Sequence, residues 1–390
     1  MAFTPITGAI SFADINTALG RSSTTSFSLG DTLVRQLTNQ LSGAIDMNNS
    51  HASNYIGSTT TNVNLLTSFG SPATVTSYKA LIPLGVTVGA TTGNTALTVG
   101  QFATGSTITI NNYGAIQAYG GAASSTGGDA INANYPNQTV TINNQTGAII
   151  YGGGGGGGTG GSGGTGGVGG GGYYTTSGIN YQYITSYPGY WVHTYLCCFG
   201  GCTYRLGTDW IWNGDVQNFN YGGVAQGYTA TGGDGNTYIV GTLQYNCNNQ
   251  CFGWQIGQYY NYNVYTSGGS GGSGGAGGLG GVGQGYGQAN TTGASGSVGG
   301  AGAAGGTNAG SGGSGGTGGT GGAGGTWGVA GSAGSTGATG NTGAAGNNGS
   351  GASGTTGTAG SGGGTAGRYL VKGANSVTIN NSGTVLGGLA

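Results

Sequence analysis

The chain contains no glutamate, and charged residues of every kind make up only 3% of its 390 positions. Six lysines and arginines stand against seven aspartates, for a formal net charge of −1. Such a balance supplies no field to steer nucleic acid or an anionic membrane. It also leaves few carboxylates to form the pair that glycan cleavage requires. Proline occurs five times and never between 267 and 390. No apolar run approaches the roughly 18 residues needed to span a bilayer, so no membrane insertion is expected. The start, Met1-Ala-Phe-Thr-Pro-Ile, lacks a basic segment followed by an apolar stretch. No signal peptide is read there, and synthesis in a cytoplasm is expected.

What is present is glycine: 100 residues, against an ordinary usage of roughly 7%. Long aliphatic side chains are scarce beyond residue 150. An ordinary core is therefore expected in the first half and in a tyrosine-rich middle, but not in the glycine tracts.

The first 57 residues repeat a short pattern. Ser11 precedes Asp14, Ser28 precedes Asp31 and Asp46 precedes Asn49, each by three residues, a spacing that suits a helix N-terminus. Leu33, Leu37 and Leu41 then recur every four residues, predicting one apolar helix face that ends at Gly43. Beyond residue 58, Val75–Tyr78, Gly85–Val88 and Thr95–Val99 alternate between turn signals and read as short strands.

A longer repeat follows. Residues 106–121, 138–153 and 375–388 each contain a Thr-Ile-Asn-Asn core preceded by a β-rich run and followed by a short apolar segment and Gly-Gly. Each unit reads as a strand, an Asn-Asn turn and a second strand, and such units stack into solenoids. The third copy lies over 200 residues beyond the second, so it is expected to pack beside the others and close the fold. The chain between them is then an excursion: a glycine tract at 152–172, an insert at 173–266 and a second glycine tract at 267–367.

From Gly310 to Gly349 glycine falls at every third position without a break. A flexible linker is the simplest alternative, but a tether needs no period. Collagen shares the period and is rich in proline, which this tract lacks. Period three also fits an extended threefold screw of about 3.1 Å rise, which has no internal hydrogen bonds. Glycine leaves its edges bare, so neighbouring runs can approach and bond amide to carbonyl. Rare bulky residues such as Leu279, Val282, Tyr286 and Trp327 must then face outward or mark turns.

Glycine runs after a Thr-Ile-Asn-Asn unit, together with the segment Ile10–Ser23 and its Ser-Leu-Gly-Asp echo, resemble bacteriophage tail-fibre adhesins and glycine-rich tail-tip proteins. The resemblance covers residues 1–50, 106–172 and 267–390. It implies a polyglycine-II sandwich whose projecting loops bind a receptor on the bacterial surface. A virion component leaves its host by lysis and needs no secretion signal. The insert at 173–266 departs from the resemblance, being far longer than a receptor loop of such adhesins.

That insert holds 16 of the 24 tyrosines and four of the five tryptophans. Tyr181–Tyr187 and Tyr190–Leu196 flank Pro188-Gly189, and Thr237–Tyr245 and Phe252–Tyr260 flank Cys247–Cys251, so two hairpins are expected in a small antiparallel β domain. Tyrosine, serine, glycine and asparagine together form adaptable binding surfaces. The candidate receptor-binding residues are Tyr190, Trp191, Tyr204, Trp210, Trp212, Trp254 and Tyr259. Any one of these rings could equally be packing. Cys198 with Cys202 and Cys247 with Cys251 are candidate local disulfides on a particle that meets an oxidising exterior. Free thiols or a four-cysteine zinc site are the alternatives, and Cys197 is left over. His193 with Cys197, Asp209 and Asp215 is the nearest approach to a catalytic set; no enzyme activity is expected.

The fold class expected is mostly β and glycine-rich. It has short N-terminal helices, a stacked β-repeat base, a polyglycine-II-like helical sandwich and an inserted antiparallel β domain. The domains are a virion-attachment module at 1–57, a base at 58–151 closed by 368–390, a sandwich of 152–172 and 267–367, and a recognition domain at 173–266. The expected partners are other virion tail proteins through the N-terminal module and a host receptor, either a glycan or an outer-membrane protein. A homotrimer or other homo-oligomer is left open, and no cofactor, metal or nucleic acid is called for. The rival reading is a structural filament or spacer subunit with no receptor-binding role.

Overall fold

The structure is a computed structural model. It describes residues 9–182, 189–193, 208–212, 215–219, 229–231, 237–245 and 252–390, with side chains for 9–178 and 261–390. Three short helices open the chain. Helix α1 (Phe12–Ala18) has Ser11 as N-cap in a reciprocal capping box with Asp14. Helix α2 (Thr32–Thr38) is capped by the Asp31 side chain, which accepts from the Leu33 amide. A 3₁₀ turn at Met47–Ser50 is capped by Asp46 through the Asn48 amide. The predicted helix through Leu41 stops earlier. Asn39 takes a left-handed conformation, φ 57°, that ends α2, and Leu41 is exposed.

Five coils of a three-sided parallel β-solenoid follow. The first contains β1 (Ser53–Tyr55), β2 (Thr60–Thr61) and β3 (Val63–Asn64), with a helical turn α3 (Leu65–Ser68) after it. The second contains β4 (Ser77–Ile82), β5 (Thr87–Gly89) and β6 (Leu97–Thr98). The third contains β7 (Thr107–Asn112), β8 (Ala115–Gln117) and β9 (Ile131–Asn132). The fourth begins with β10 (Thr139–Asn144) and β11 (Ile149–Tyr151), is interrupted, and is completed by β19 (Arg368–Val371). The fifth contains β20 (Ser376–Asn381), β21 (Thr384–Leu386) and β22 (Gly388–Leu389). Strands of successive coils pair in parallel, giving sheets ordered β1-β4-β7-β10-β20, β2-β5-β8-β11-β21 and β3-β6-β9-β19-β22. The third repeat thus pairs directly with the second, Val140 opposite Val377 and Ile142 opposite Ile379.

The register stacks like on like. Tyr78, Ile108 and Val140 form one inward ladder, Ala80, Ile110 and Ile142 a second, and Val88, Ile116 and Ile150 a third, all buried. Burying each such aliphatic side chain contributes about 1.5–3 kcal/mol. The repeated Asn-Asn pairs are not turns but the last two residues of their strands. Asn112 donates to Asn144 and Asn144 to Asn381, both at 2.8 Å, while Asn380 donates to Asn143 and Asn143 to Asn111. The turn comes one residue later.

Leu81, on the outer face of the first sheet, joins a second core made by Ile15, Ala18, Leu19, Val34 and Leu37 of the N-terminal helices. Those helices therefore lie against that sheet. Among the described residues no helix is long and apolar enough to cross a membrane.

Candidate functional site

The interruption in the fourth coil is where a second architecture leaves the first. After Tyr151 the chain makes six extended glycine-rich runs, at 152–171, 267–284, 290–305, 309–326, 329–345 and 350–367, bonded to one another in steps of three residues. Gly154, Gly157, Gly160, Gly163, Gly166 and Gly169 donate to residues 284, 281, 278, 275, 272 and 269 of the antiparallel second run. Gly155, Gly158, Gly161, Gly164 and Gly167 donate to residues 329, 332, 335, 338 and 341 of the parallel fifth run. This is the threefold period expected of polyglycine-II packing. Contacts between runs are backbone on backbone: a Cβ built on Gly160 meets the Gly319 carbonyl oxygen at 2.0 Å.

Bulky residues behave as that packing demands. Leu279 is 69% exposed. Tyr286 sits in the turn between the second and third runs and lays its ring over Gly89 of the solenoid. Trp327, between the fourth and fifth runs, packs on Tyr151, ring centroids 5.5 Å apart. Both turns thus lie at the solenoid end. Where the last run returns, Arg368 donates from Nε and Nη2 to the two carboxylate oxygens of Asp129 at 3.0 and 2.8 Å. That forked pairing favours the charged guanidinium and pushes its pKa up.

At the other end of the runs stands the insert. Strands β12 (Gly172–Gln182) and β18 (Phe252–Thr266) emerge from the first run and enter the second, paired antiparallel from Gly172 opposite Thr266 to Gln182 opposite Ile256. β16 (Thr229–Thr231) and β17 (Thr237–Tyr245) complete a sheet ordered β12-β18-β17-β16, and β13 (Gly189–His193), β14 (Thr208–Trp212) and β15 (Asp215–Phe219) form another. The predicted pairing of Thr237–Tyr245 with Phe252–Tyr260 is present, with an irregularity between Val240 and Leu243. The predicted pairing across Pro188-Gly189 is not what the described residues make. Tyr181 pairs with Gly257, and Gly189–His193 pairs with Thr208–Trp212. Strong turn chemistry at one dipeptide is local, whereas the partner of a strand is chosen over the whole insert.

The candidate aromatics divide between the two sheets. Trp191 and Trp210 are register partners in β13 and β14; Tyr190 lies opposite Ile211 and Trp212 opposite Gly189. Trp254 lies opposite Leu243, and Tyr259 opposite Ile179. Tyr204 and the candidate disulfide residues Cys198, Cys202, Cys247 and Cys251 lie outside the described residues, as does Cys197. Sequence reasoning passed over the root of the insert. There Tyr174, Tyr262 and Tyr265 are exposed, and Tyr173 and Tyr265 approach to 6.0 Å between centroids. Their clustering at both ends of the insert, Tyr173-Tyr174 and Tyr262 with Tyr265, was the available signal. No charged residue occurs in 172–178, 261–270, 303–309 or 342–351, so the root of the insert and the turns beside it carry no charged side chain.

A β-solenoid base, a bonded glycine lattice and an aromatic module carried at the lattice's far end together have the layout of a display protein. The phage tail fibre adhesin Gp38 family model matches residues 48–296, more than half of the chain, and the chain belongs to that family. It is a tail-fibre adhesin located in the virion tail. The matched stretch runs through the insert rather than around it. No curated protein and no solved structure matches the chain.

Proposed function

We propose that the insert at 173–266 is the element that meets the host, and that residues 1–57 join the adhesin to other virion tail proteins. Residues 58–151 with 368–390 then serve as base, and 152–172 with 267–367 as spacer. The observation that carries this reading is the polarity of the molecule. The N-terminal helices pack on the outer face of one solenoid sheet. The glycine runs leave from the corner between the other two, after β11 and before β19, and the insert is rooted at their far end. Attachment and recognition then sit at opposite poles.

The ligand is a surface glycan or a loop of an outer-membrane protein, met by neutral amides, hydroxyls and aromatic rings, with Tyr190, Trp191, Tyr204, Trp210, Trp212, Trp254 and Tyr259 as the leading contacts. Binding, not catalysis, is the activity. Removing residues 174–265 is expected to leave folded, assembled particles that do not adsorb, as counted by free phage remaining after mixing with host cells. Normal adsorption by those particles removes the insert from its role. Copy number tests the filament alternative: a few copies at a fibre tip fit an adhesin, and hundreds along a fibre do not.

A further inference from the structure

The root of the insert is gripped by two turns far away in sequence. Among the described residues strand β12 is the edge strand of its sheet, so one row of its backbone groups has no strand partner among them. At Tyr173 that row is taken by side chains. The Tyr173 amide donates to Asn347 Oδ1 at 2.8 Å, and Asn347 Nδ2 donates back to the Tyr173 carbonyl at 2.9 Å. Asn347 thus presents the same donor and acceptor that a neighbouring strand would present. Asn308 Nδ2 donates to the same carbonyl at 3.1 Å.

The two turns are stitched to each other and to the flanking residues. The Asn347 amide donates to the Asn308 carbonyl and the Asn348 amide to the Gly171 carbonyl, each at 3.1 Å. Thr266, the last residue of β18, donates its hydroxyl to the Thr307 carbonyl at 2.7 Å. Both strands at the root are therefore fastened, one by each side of the same collar. Asn308 holds a left-handed φ of 59°, a conformation that asparagine tolerates better than most residues. These asparagines also stand where the glycine lattice turns back, so packing of the runs does not require an amide side chain there.

We propose that Asn308 and Asn347 are positioning residues for recognition: they fix the direction in which the insert leaves the glycine lattice, so that its ligand-binding surface is presented ready for contact. The proposal rests on the reading that the insert meets the host. A module swinging on a loose root loses affinity to the freedom it must surrender on binding, and holding it in advance removes that cost.

The test uses whole particles and the full-length adhesin carrying Asn308→Gly with Asn347→Ala. Glycine keeps the left-handed backbone at 308 and removes only the side chain. Backbone amide exchange at 173–177 and 261–265 is expected to rise by about tenfold or more, as loss of three hydrogen bonds implies. Exchange in the glycine run at 152–171 and the thermal midpoint should stay unchanged. The adsorption rate is expected to fall by about tenfold through lost preorganisation. Asn347→Asp alone keeps the acceptor for the Tyr173 amide and loses the donor, and an intermediate rate supports the proposal. Faster exchange at the root with normal adsorption overturns it, as does unchanged exchange. Particles lacking 174–265 separate the two claims. If they adsorb normally, the reading of the insert itself fails. If they do not adsorb while the double variant adsorbs like the parent, only the collar's role fails.

Discussion

A glycine in this chain is required or dispensable according to what stands where its Cβ would be. At Gly160 that place is filled by the Gly319 carbonyl, 2.0 Å away, and the carbonyl cannot step aside without moving a bonded run. At Gly362 nothing lies within 4 Å and no left-handed φ is demanded. Gly160→Ala is therefore expected to destabilise the adhesin by about 1–3 kcal/mol, the range for forcing atoms into a packed interior. Gly362→Ala is expected to be neutral or to stabilise by about 0.4–1 kcal/mol, because alanine narrows the unfolded ensemble. Thermal unfolding of the two variants against the parent measures both, and equal losses at the two positions would contradict backbone-on-backbone packing. The sequence period makes every third glycine look equivalent. That holds within one phase only: Gly160 lies in an unbroken glycine phase from 154 to 169, whereas Gly362 is in step with Ser353, Thr356, Ala359 and Thr365. Its tolerance was therefore legible, but which run each bare edge faces was not.

At the scale of elements, the N-terminal caps were legible because their chemistry is local. Ser11 and Asp14 close the box that their spacing predicts. Hydrogen bonds from the Ser11 hydroxyl, then from its amide, hold the Asp14 carboxyl below its ordinary value of 3.8. A folded value below the unfolded one adds stability above the unfolded value, and that stability is lost as pH falls through the folded value. The start of α1 should therefore loosen only in acid below about pH 4. Ser11→Ala should return the Asp14 titration, followed by carboxyl-carbon NMR, toward the ordinary value. The Asn-Asn pairs were misread as turns for the opposite reason. One repeat shows only two asparagines, and their partners are the same two residues in the next coil. Asn144 is buried, donates to Asn381 and accepts from Asn112. Truncating it to alanine takes an acceptor from the buried Asn112 amide and leaves a gap in the ladder, at a cost of about 1–3 kcal/mol, while the exposed Asn381 turns to water. Asn380→Ala, at the exposed end of the other ladder, should cost much less in the same denaturant titration. The predicted helix to Gly43 failed on one residue, Asn39, whose left-handed turn outweighed a leucine spacing that continued past it.

At the scale of the whole molecule, the order of the parts could be inferred from the sequence because the third repeat lies so far from the second; the lattice between them could be guessed only in kind. An extended threefold screw has three edges, and a run can bond through as many edges as it has neighbours. The run at 152–171 is surrounded. From Gly152 to Gly170 every backbone amide except that of Val168 donates to another run, to the segment at 125–128, to the solenoid or to a side-chain hydroxyl. The run at 290–305 lies at the margin, and only Thr291, Ala294, Ser297, Gly300 and Ala303, one amide in three, donate across. Amide hydrogen exchange should therefore be slow through almost the whole central run and alternate in threes along the marginal one. Protection in such a lattice follows position in the bundle, not local sequence, since the two runs are both small-residue tracts with little side-chain packing to distinguish them. Uniform random-coil exchange across both would mean that the runs do not bond to one another, and the insert would then hang on a tether rather than stand on a platform. Slow exchange at 152–171 with a period of three at 290–305 is the outcome that a bonded lattice requires, and a flexible linker of the same composition cannot produce it.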